Sequence, residues 1–497
     1  MQIMKFMLKT PSDFIFCLNE KEERTFYPLP TFAINSKGVY ISKNLNLYKF
    51  LILDMLFKNG FKNISSEDKL ENNTFQIVDN DKQVIFIRWQ HKSKKTILQS
   101  FTAMYPFLKL ITPMQEFNCS EERAILKTIK IGESLGINSI TMATSIRKIY
   151  MFKFHGAKEI FGKRWNTKDL SNEDYEKIYK TQKAGLFYMN ENYQNKIVKN
   201  LDYFDKNSAY PFIALNYPLP CENPIHLKYE ELNQNGMYGI STVFLTAKVK
   251  KNHISILWDI QKKKFVNEVK KQIFQLWDFE IEYIKKNYDI EDFSILDTLG
   301  LKKRYGLLNE VIEEFEKIKE NTKSPTTRNI VKFASNTFLG SFATKKIRTQ
   351  RIYNNDMTFE IKTTTSDQFY PAIFSYIVSQ NNINLANILN VIGLEKIIYV
   401  DTDGFFSLHN SLFCSTLPVS QNKYGYFKYE KISEFACRNP RVYGYITNNG
   451  EIINKIAGYK PNDPFLPADF TKEMKVKTEV WSFAGLYPEK IEKTLTY

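Results

Sequence analysis

Apolar and polar positions alternate along the chain in two patterns that predict different elements. An apolar run at 397–400 stops at Asp401-Thr402-Asp403 and resumes as Gly404-Phe405-Phe406. Two short apolar runs around a polar break read as a β-hairpin, here with carboxylates at its tip. Earlier, Leu201-Asp202-Tyr203-Phe204-Asp205-Lys206-Asn207-Ser208-Ala209-Tyr210-Pro211 reads as a strand ending at Asp205 in a turn. Over residues 1–180, strand-like pieces at 76–78 and 84–89 alternate with helix-like ones at 47–58 and 121–135. A helical period runs over 307–319 and carries Glu313, Glu314 and Glu316. Ser324-Pro325 supplies a cap and a first-turn proline for a second helix, whose run to Phe338 meets no breaker before Gly340. Such a mixture predicts an α/β and α+β multidomain fold.

Size and charge sharpen this picture. A chain of 497 residues exceeds a single core and predicts about three domains or subdomains. The net charge of +15 is spread over clusters at 92–95, 248–251, 262–264 and 345–351. Any one cluster reads as a solvated face, but their sum, with 15% aromatic residues, points to a polyanionic partner, nucleic acid. Cysteines 17, 119, 221, 414 and 437 are odd in number and never form Cys-x-x-Cys. They support neither a disulfide framework nor a zinc module and predict a reducing compartment. The five histidines show no ligand spacing. No apolar stretch reaches the ~18 residues of a membrane span, and residues 1–10 lack the pattern of a cleaved leader. The expectation is a cytoplasmic monomer without membrane contact.

Candidate chemistry lies in the acids and the second helix. Asp205 and Asp403, if folding brings them together, form a pair able to hold two divalent metal ions. Arg328, Lys332 and Asn336 are spaced i, i+4, i+8 and share one helical face. That face alone reads equally as an amphipathic surface. Opposite a two-metal site it is what nucleotidyl transfer needs, because Lys, Arg and Mg²⁺ together neutralise a triphosphate. Gly340, which follows, lets backbone approach a base pair closely.

These residues resemble the family B DNA polymerases, and specifically the protein-primed branch of phages and linear genetic elements. Asp205-Lys206-Asn207-Ser208-Ala209-Tyr210-Pro211 is similar to that family's D-x-N-S-L-Y-P element. Lys332-Phe333-Ala334-Ser335-Asn336-Thr337-Phe338-Leu339-Gly340 is similar to its K-x-x-x-N-S-x-Y-G helix, and Tyr399 through Asp403 to its Y-x-D-T-D hairpin. Arg441-Val442-Tyr443 stands where the family has K-x-Y, after Tyr424-Gly425-Tyr426-Phe427, which resembles a palm segment. The resemblance covers residues 180–460. It implies DNA-directed DNA synthesis from dNTPs on a template and primer, started from the hydroxyl of a terminal protein. Asp205 and Asp403 would hold two Mg²⁺ ions, with Mn²⁺ able to substitute, and Asp401 would support the primer end. Lys332, Asn336, Tyr210, Ser208, Lys319 and Arg328 would bind the dNTP, with Tyr210 under the sugar excluding a 2′-hydroxyl. Arg441, Tyr443, Thr402, Gly340 and Thr337 would hold primer and template.

The same resemblance implies an order of domains: an RNase H-like exonuclease-type domain at 1–178, then a right-hand polymerase. Its palm would take 179–220 and 369–459, its fingers 307–344 and its thumb 460–497. Insertions would lie at 221–306, contacting the priming protein and duplex, and at 345–368, serving strand displacement and processivity. Departures accompany the matches. Leu339 replaces a tyrosine that lies against the nascent pair, Gly404 replaces a serine after the second acid, and Gln182-Lys183-Ala184-Gly185 stands in for Y-x-G-G/A without its aromatic. The exonuclease acids have no clear counterparts. Tyr48 stands in one acid position, where a phenol cannot replace a carboxylate at neutral pH, and Thr128 in another, while Asp13-Phe14-Ile15 lacks a second carboxylate. Asp54, Glu67 and Asp79 are other candidate acids for that site. The expectation is a domain without proofreading. Two alternatives stay open: a polymerase that copies or makes RNA, and a silent descendant that only binds nucleic acid or a partner. Thr402 between the hairpin acids and Tyr210 argue against the first, and the retained Asp205, Asp403 and Lys332 against the second.

Overall fold

The structure, a computed structural model, describes residues 170–343, 370–409, 416–421, 423–456 and 464–476 with their side chains. Of the rest it describes Glu116, Asn118, Ile131, Ser134 and Leu135, and the backbones of the outlying strands named below. The N-terminal strands are β1 (Gln2–Leu8), β2 (Phe14–Leu18), β3 (Arg24–Pro28), β4 (Ile64–Lys69), β5 (Thr74–Asp79) and β6 (Lys82–Ile87). They form one mixed sheet in the order β3-β2-β1-β6-β5-β4, in which β1 and β6 run parallel. β5 and β6 fall where 76–78 and 84–89 read as strands. The expectations placed on Asp13, Tyr48, Asp54 and Thr128 lie outside the described residues, and Glu67 and Asp79 are described as backbone only.

The sheet that matters for chemistry is assembled from distant segments. It takes β7 (Leu186–Met189) and β8 (Val198–Lys206) from one segment. Between them and their partners come β9 (Leu219–His226), β10 (Tyr238–Val249), the short ribbon of β11 (Trp258–Asp259) and β12 (Lys264–Phe265), β13 (Glu268–Trp277) and β14 (Tyr288–Arg304). Of these, β13-β10-β14-β9 make a four-stranded antiparallel sheet of their own, which occupies the segment expected as the first insertion. A hairpin of β15 (Ile347–Tyr353) and β16 (Phe359–Thr365) lies in the segment expected as the second. The chemical sheet is then completed by β17 (Ile397–Thr402), β18 (Gly404–Leu408), β19 (Phe427–Asn439), β20 (Val442–Thr447) and β21 (Ile452–Ile456), in the antiparallel order β21-β20-β19-β8-β18-β17-β7. A two-stranded pair, β22 (Lys475–Ser482) and β23 (Glu489–Thr496), ends the chain.

Helices cover this sheet and carry the cations. Pro371–Ile392, opened by its proline and stopped at Gly393 with φ +93°, is apolar on most sides, yet it buries Asn381 and Asn382. Buried amides must find partners. Asn382 accepts from the Leu186 N–H at 2.9 Å and donates to the Ala184 carbonyl at 2.9 Å, which pins the entry to β7. The Asn309–Asn321 and Pro325–Ser341 helices form a pair over the Ala209–Asn216 helix. Ser324 caps the second by accepting from the Thr327 N–H at 3.1 Å, as Ser324-Pro325 predicts, and the helix runs on through Gly340 instead of breaking there. Their shared core includes Ile213, Val311, Phe315, Ile330, Phe338 and Tyr376, each burial of that kind contributing roughly 1.5–3 kcal/mol. A second core joins the two antiparallel sheets through Phe204, Val243, Leu245, Leu389, Val400 and Phe405. Across that junction the Lys183 ammonium meets the Glu280 carboxylate at 2.5 Å, with side chains only 4% and 1% exposed.

Candidate active site

Strand register brings the acids together. Asp205 is the penultimate residue of β8 and lies directly opposite Gly404 on one side and Lys428 on the other. Asp403 forms the tip of the β17–β18 hairpin, and its carbonyl accepts from the Lys206 N–H at 3.0 Å. The tip is tighter than a two-residue hairpin loop: the Asp403 N–H bonds the Asp401 carbonyl at 2.8 Å across Thr402, whose φ is +68°. This is a γ-turn with a positive central φ, and a β-branched residue there is strained by about 1–3 kcal/mol. Neighbours hold it in place. The Thr402 hydroxyl donates to Asp401 Oδ1 at 3.0 Å, and Asn381 Nδ2 donates to the Thr402 carbonyl at 3.3 Å. Gly185 backs the turn from the other side, where an added Cβ would lie 2.7 Å from Thr402 Cγ2 and 2.9 Å from the Tyr210 hydroxyl.

Burial works against the ionisation of both acids. Burial, then the neighbouring Asp205 carboxylate, push the Asp403 carboxyl up, and Lys332 opposes them. Burial also pushes Asp205 up against the pull of Lys332, Lys428 and Lys455 and a hydrogen bond from Tyr203. Two adjoining carboxylates that resist ionising together are a donor set suited to a hard divalent cation. Among the described residues no three Asp, Glu, His or Cys side chains converge into a ready metal cage. Mg²⁺ fits such a pair, since it keeps waters and takes one or two carboxylates plus substrate phosphates.

The predicted residues fall around this pair. Arg328, Lys332, Asn336 and Gly340 are exposed along one face of the Pro325–Ser341 helix, and a Cβ on Gly340 would meet nothing within 4 Å. Thr337 is half-buried beside them. Lys319 reaches in from the paired helix, donating to Ser208 Oγ at 2.7 Å and bridging Glu316 at 2.7 Å. Tyr210 opens the Ala209–Asn216 helix beside Gly185 and the hairpin tip, and burial pushes its phenol up, with Asp403 adding to the shift. Arg441 turns between β19 and β20 with φ +58°; its N–H bonds the Tyr399 hydroxyl at 2.7 Å, and its Nε lies 3.9 Å from Asp401 Oδ1. Tyr443 is buried, its ring centroid 4.8 Å from that of Tyr399. Leu339 is likewise buried in the helical core, so this side chain lines the core instead of the open face.

Other residues at the site had no role assigned from the sequence. Asn207, a motif position, serves as a tie, its side chain donating to the Ser420 carbonyl at 2.9 Å. Lys428 and Lys455 act on Asp205 from β19 and β21, and Gly185, quoted only as a motif stand-in, braces the turn with Asn381. Tyr203 left a local signal too, because it precedes Asp205 by two in a strand and therefore shares its face.

Comparison with known proteins agrees with this arrangement. Residues 123–404 match the family described as DNA polymerase type B, organellar and viral. The DNA polymerase of Bacillus phage Nf is 25% identical over 247 residues, 47% of this chain and 41% of that protein. The DNA polymerase of Bacillus phage phi29 is 24% identical over 268 residues, 50% of this chain and 45% of that protein. The matched stretch thus spans less than half the length of these relatives. In three dimensions the chain is similar to Phi29 DNA polymerase complexed with primer-template DNA and incoming nucleotide substrates, with a TM-score of 0.73, 13% identity and 99% of each chain covered. An orthorhombic crystal form of Phi29 DNA polymerase gives a TM-score of 0.70 at 15% identity, covering 100% of this chain and 99% of that one. The family match takes in Asp205, Lys332 and Asp403 together, and the chain belongs to the type B DNA polymerases of the organellar and viral kind.

Proposed function

We propose that the chain is a DNA-directed DNA polymerase that adds dNTPs to a primer 3′-hydroxyl, starts from a terminal protein and lacks 3′ to 5′ proofreading. The observation that carries the catalytic part is the pairing of β8 with β18, which sets Asp205 beside the Asp403 tip under the reach of Lys332 and Lys428. Asp205 and Asp403 would hold two Mg²⁺ ions, which when bound supply Lewis acidity to the attacking hydroxyl and the departing pyrophosphate. Lys332 and Arg328 take the triphosphate charge from the exposed helical face, and Lys319, already on Ser208, closes the same side. Tyr210, fixed between Gly185 and its helix, forms the floor beneath the sugar and rejects a ribose hydroxyl by contact. Arg441 pairs with Asp401 and leaves its other nitrogens for the primer backbone. Gly340 offers a face without a side chain to the duplex.

Terminal-protein priming is supported by the resemblance of the three motifs to the protein-primed branch, and by the separate sheet β13-β10-β14-β9 in the segment where that branch carries its first insertion. Loss of proofreading is supported by Tyr48 and Thr128 standing in acid positions. The working form would be a monomer in the cytoplasm of the host cell. Among the described residues no helix is long and apolar enough to cross a membrane.

Extension of a labelled primer-template with dNTPs and Mg²⁺, compared between the parent and Asp403→Ala, tests the reading. Extension lost in the variant, with the primer left unshortened when dNTPs are omitted, is the expected result. Absence of extension by the parent even with terminal protein supplied would sink the polymerase reading, and primer shortening would sink the claim about proofreading.

A further inference from the structure

We infer that the Tyr203 hydroxyl is a positioning group for Asp205, occupying the space that Gly404 leaves open and fixing the carboxylate in its metal-binding orientation. The inference rests on the reading of Asp205 and Asp403 as the metal-holding pair. Tyr203 and Asp205 lie two apart on β8 and so point to the same face. Opposite them in register on β18 stand Phe406 and Gly404. The Tyr203 ring stacks on Phe406 with centroids 4.4 Å apart and planes 19° apart, and Tyr445 flanks it at 5.8 Å. This clamp fixes where the phenol points. An added Cβ at Gly404 would lie 3.2 Å from the Tyr203 hydroxyl and 3.3 Å from Asp205 Oδ1, so both oxygens border one small space that a side chain at 404 would fill. Across that space the Tyr203 phenol faces the Asp205 carboxylate and favours its charged form.

Two other phenols of the same aromatic cluster are placed differently: the Tyr399 hydroxyl is committed to the Arg441 N–H, and the Tyr443 ring is buried. The family pattern carries a serine where this chain has Gly404. A serine would put its own hydroxyl into the space next to Asp205, whereas here the hydroxyl comes from the neighbouring strand. Glycine and tyrosine therefore work as a matched pair, one supplying the room and the other the donor. A carboxylate whose second oxygen is held by a fixed donor loses less freedom when it takes a cation, because its orientation is already set.

The test uses the full chain and Mn²⁺ alone as the probe, with free Mn²⁺ counted by electron paramagnetic resonance, alongside the Mg²⁺ dependence of primer extension. Tyr203→Phe removes one oxygen and keeps the stacked ring. It should weaken Mn²⁺ binding and raise the half-saturating Mg²⁺ concentration by about 10-fold or more each, as loss of an outer-shell partner does, with primer-template affinity unchanged. Adding Gly404→Ser to Tyr203→Phe should restore most of both, whereas Gly404→Ala in that background should not. Tyr203→Phe binding Mn²⁺ like the parent, while Asp403→Ala loses the ion, would overturn the inference and leave the polymerase reading standing. Weakened binding that the serine double variant fails to recover, at a melting temperature equal to the parent's, would also overturn it in favour of simple packing. A parent that binds Mn²⁺ no better than Asp403→Ala would remove the metal-site reading beneath it.

Discussion

Gly185→Ala places one methyl group where the hairpin tip, Tyr210 and the β7 entry meet, and its effect follows from three contacts. The new Cβ would stand 2.7 Å from Thr402 Cγ2, 2.9 Å from the Tyr210 hydroxyl and 3.1 Å from Thr402 Cα. Carbon contacts settle at roughly 3.5–4 Å, so Thr402 Cγ2 must retreat by about 0.8–1.3 Å. The glycine cannot retreat instead, because the Asn382 amide holds the carbonyl before it and the N–H after it. The yielding element is the strained turn, and Asp403 moves with Thr402. Overpacking of this kind costs about 1–3 kcal/mol. A displacement near 1 Å at a reacting group costs up to about 10²-fold in rate. We therefore expect kcat for primer extension at saturating dNTP to fall about 10–100-fold, with primer-template affinity within about twofold of the parent. Thr402→Ser removes the nearest carbon and keeps the hydroxyl on Asp401, so the double variant should regain about tenfold. Gly185→Ala extending within a factor of two of the parent would refute the claim that this glycine sets the tip.

Lys183→Met should destabilise the protein by about 3–5 kcal/mol, because it strands the buried Glu280 charge, while Lys183→Met with Glu280→Leu should recover most of that in chemical denaturation; equal losses in both would contradict the account. Asp278, at the start of the Asp278–Asn287 helix, is pushed up to about 6 by burial, with Lys303 and backbone N–H groups opposing. Its carboxyl binds a proton more tightly folded than unfolded, so its contribution is most favourable below the ordinary aspartate range and is lost as pH rises through about 6. Asp278→Asn should then raise stability at pH 8 by on the order of 2 kcal/mol relative to the parent, with the advantage shrinking toward pH 4; thermal melts across that range check the sign. Tyr210→Ala should raise incorporation of ribonucleotides relative to deoxyribonucleotides by at least about tenfold, equivalent to ~1.4 kcal/mol of lost discrimination, and unchanged selectivity in single-nucleotide extension would remove Tyr210 from that role.

How much of this was legible depended on whether the signal was local. The 397–400 run and Asp403 announced a hairpin with an acid tip, and Ser324-Pro325 announced a helix start, because hydrophobic period and capping act within a few residues. The 307–319 period appears as the helix Asn309–Asn321. Gly340 misled: its neighbours hold the helix to Ser341, so packing against the core outweighs the ~1 kcal/mol propensity penalty of one glycine. The positive φ of Thr402 was invisible, since no local preference would choose a β-branched residue there and the bonds of Asn381, Asp401 and Asp403 around it, with the room left by Gly185, make it tolerable. Lys428 and Lys455 carry nothing in their neighbourhoods to tell them from other surface lysines; strand register sets Lys428 opposite Asp205, and Lys455 acts on it from the sheet's far edge. Leu339 shows the opposite limit, a position named by a motif that the fold buries.

The order of strands in the chemical sheet also bears on how the chain is made. β8 emerges early from the ribosome, but both of its neighbours, β18 and β19, are encoded after the whole of β13-β10-β14-β9 and the helix pair. At about 5–20 residues per second, the edge bearing Asp205 waits roughly 10–40 s for its first partner. During that interval β9 to β14 pair among themselves through nearer contacts, while β8 presents unpaired amides and carbonyls on both sides. Closing so distant a pairing is slow by its topology. Truncated chains ending between 305 and 400 should therefore be the aggregation-prone products of interrupted synthesis, and the two acids come into being as a site only when the late hairpin of β17 and β18 reaches β8.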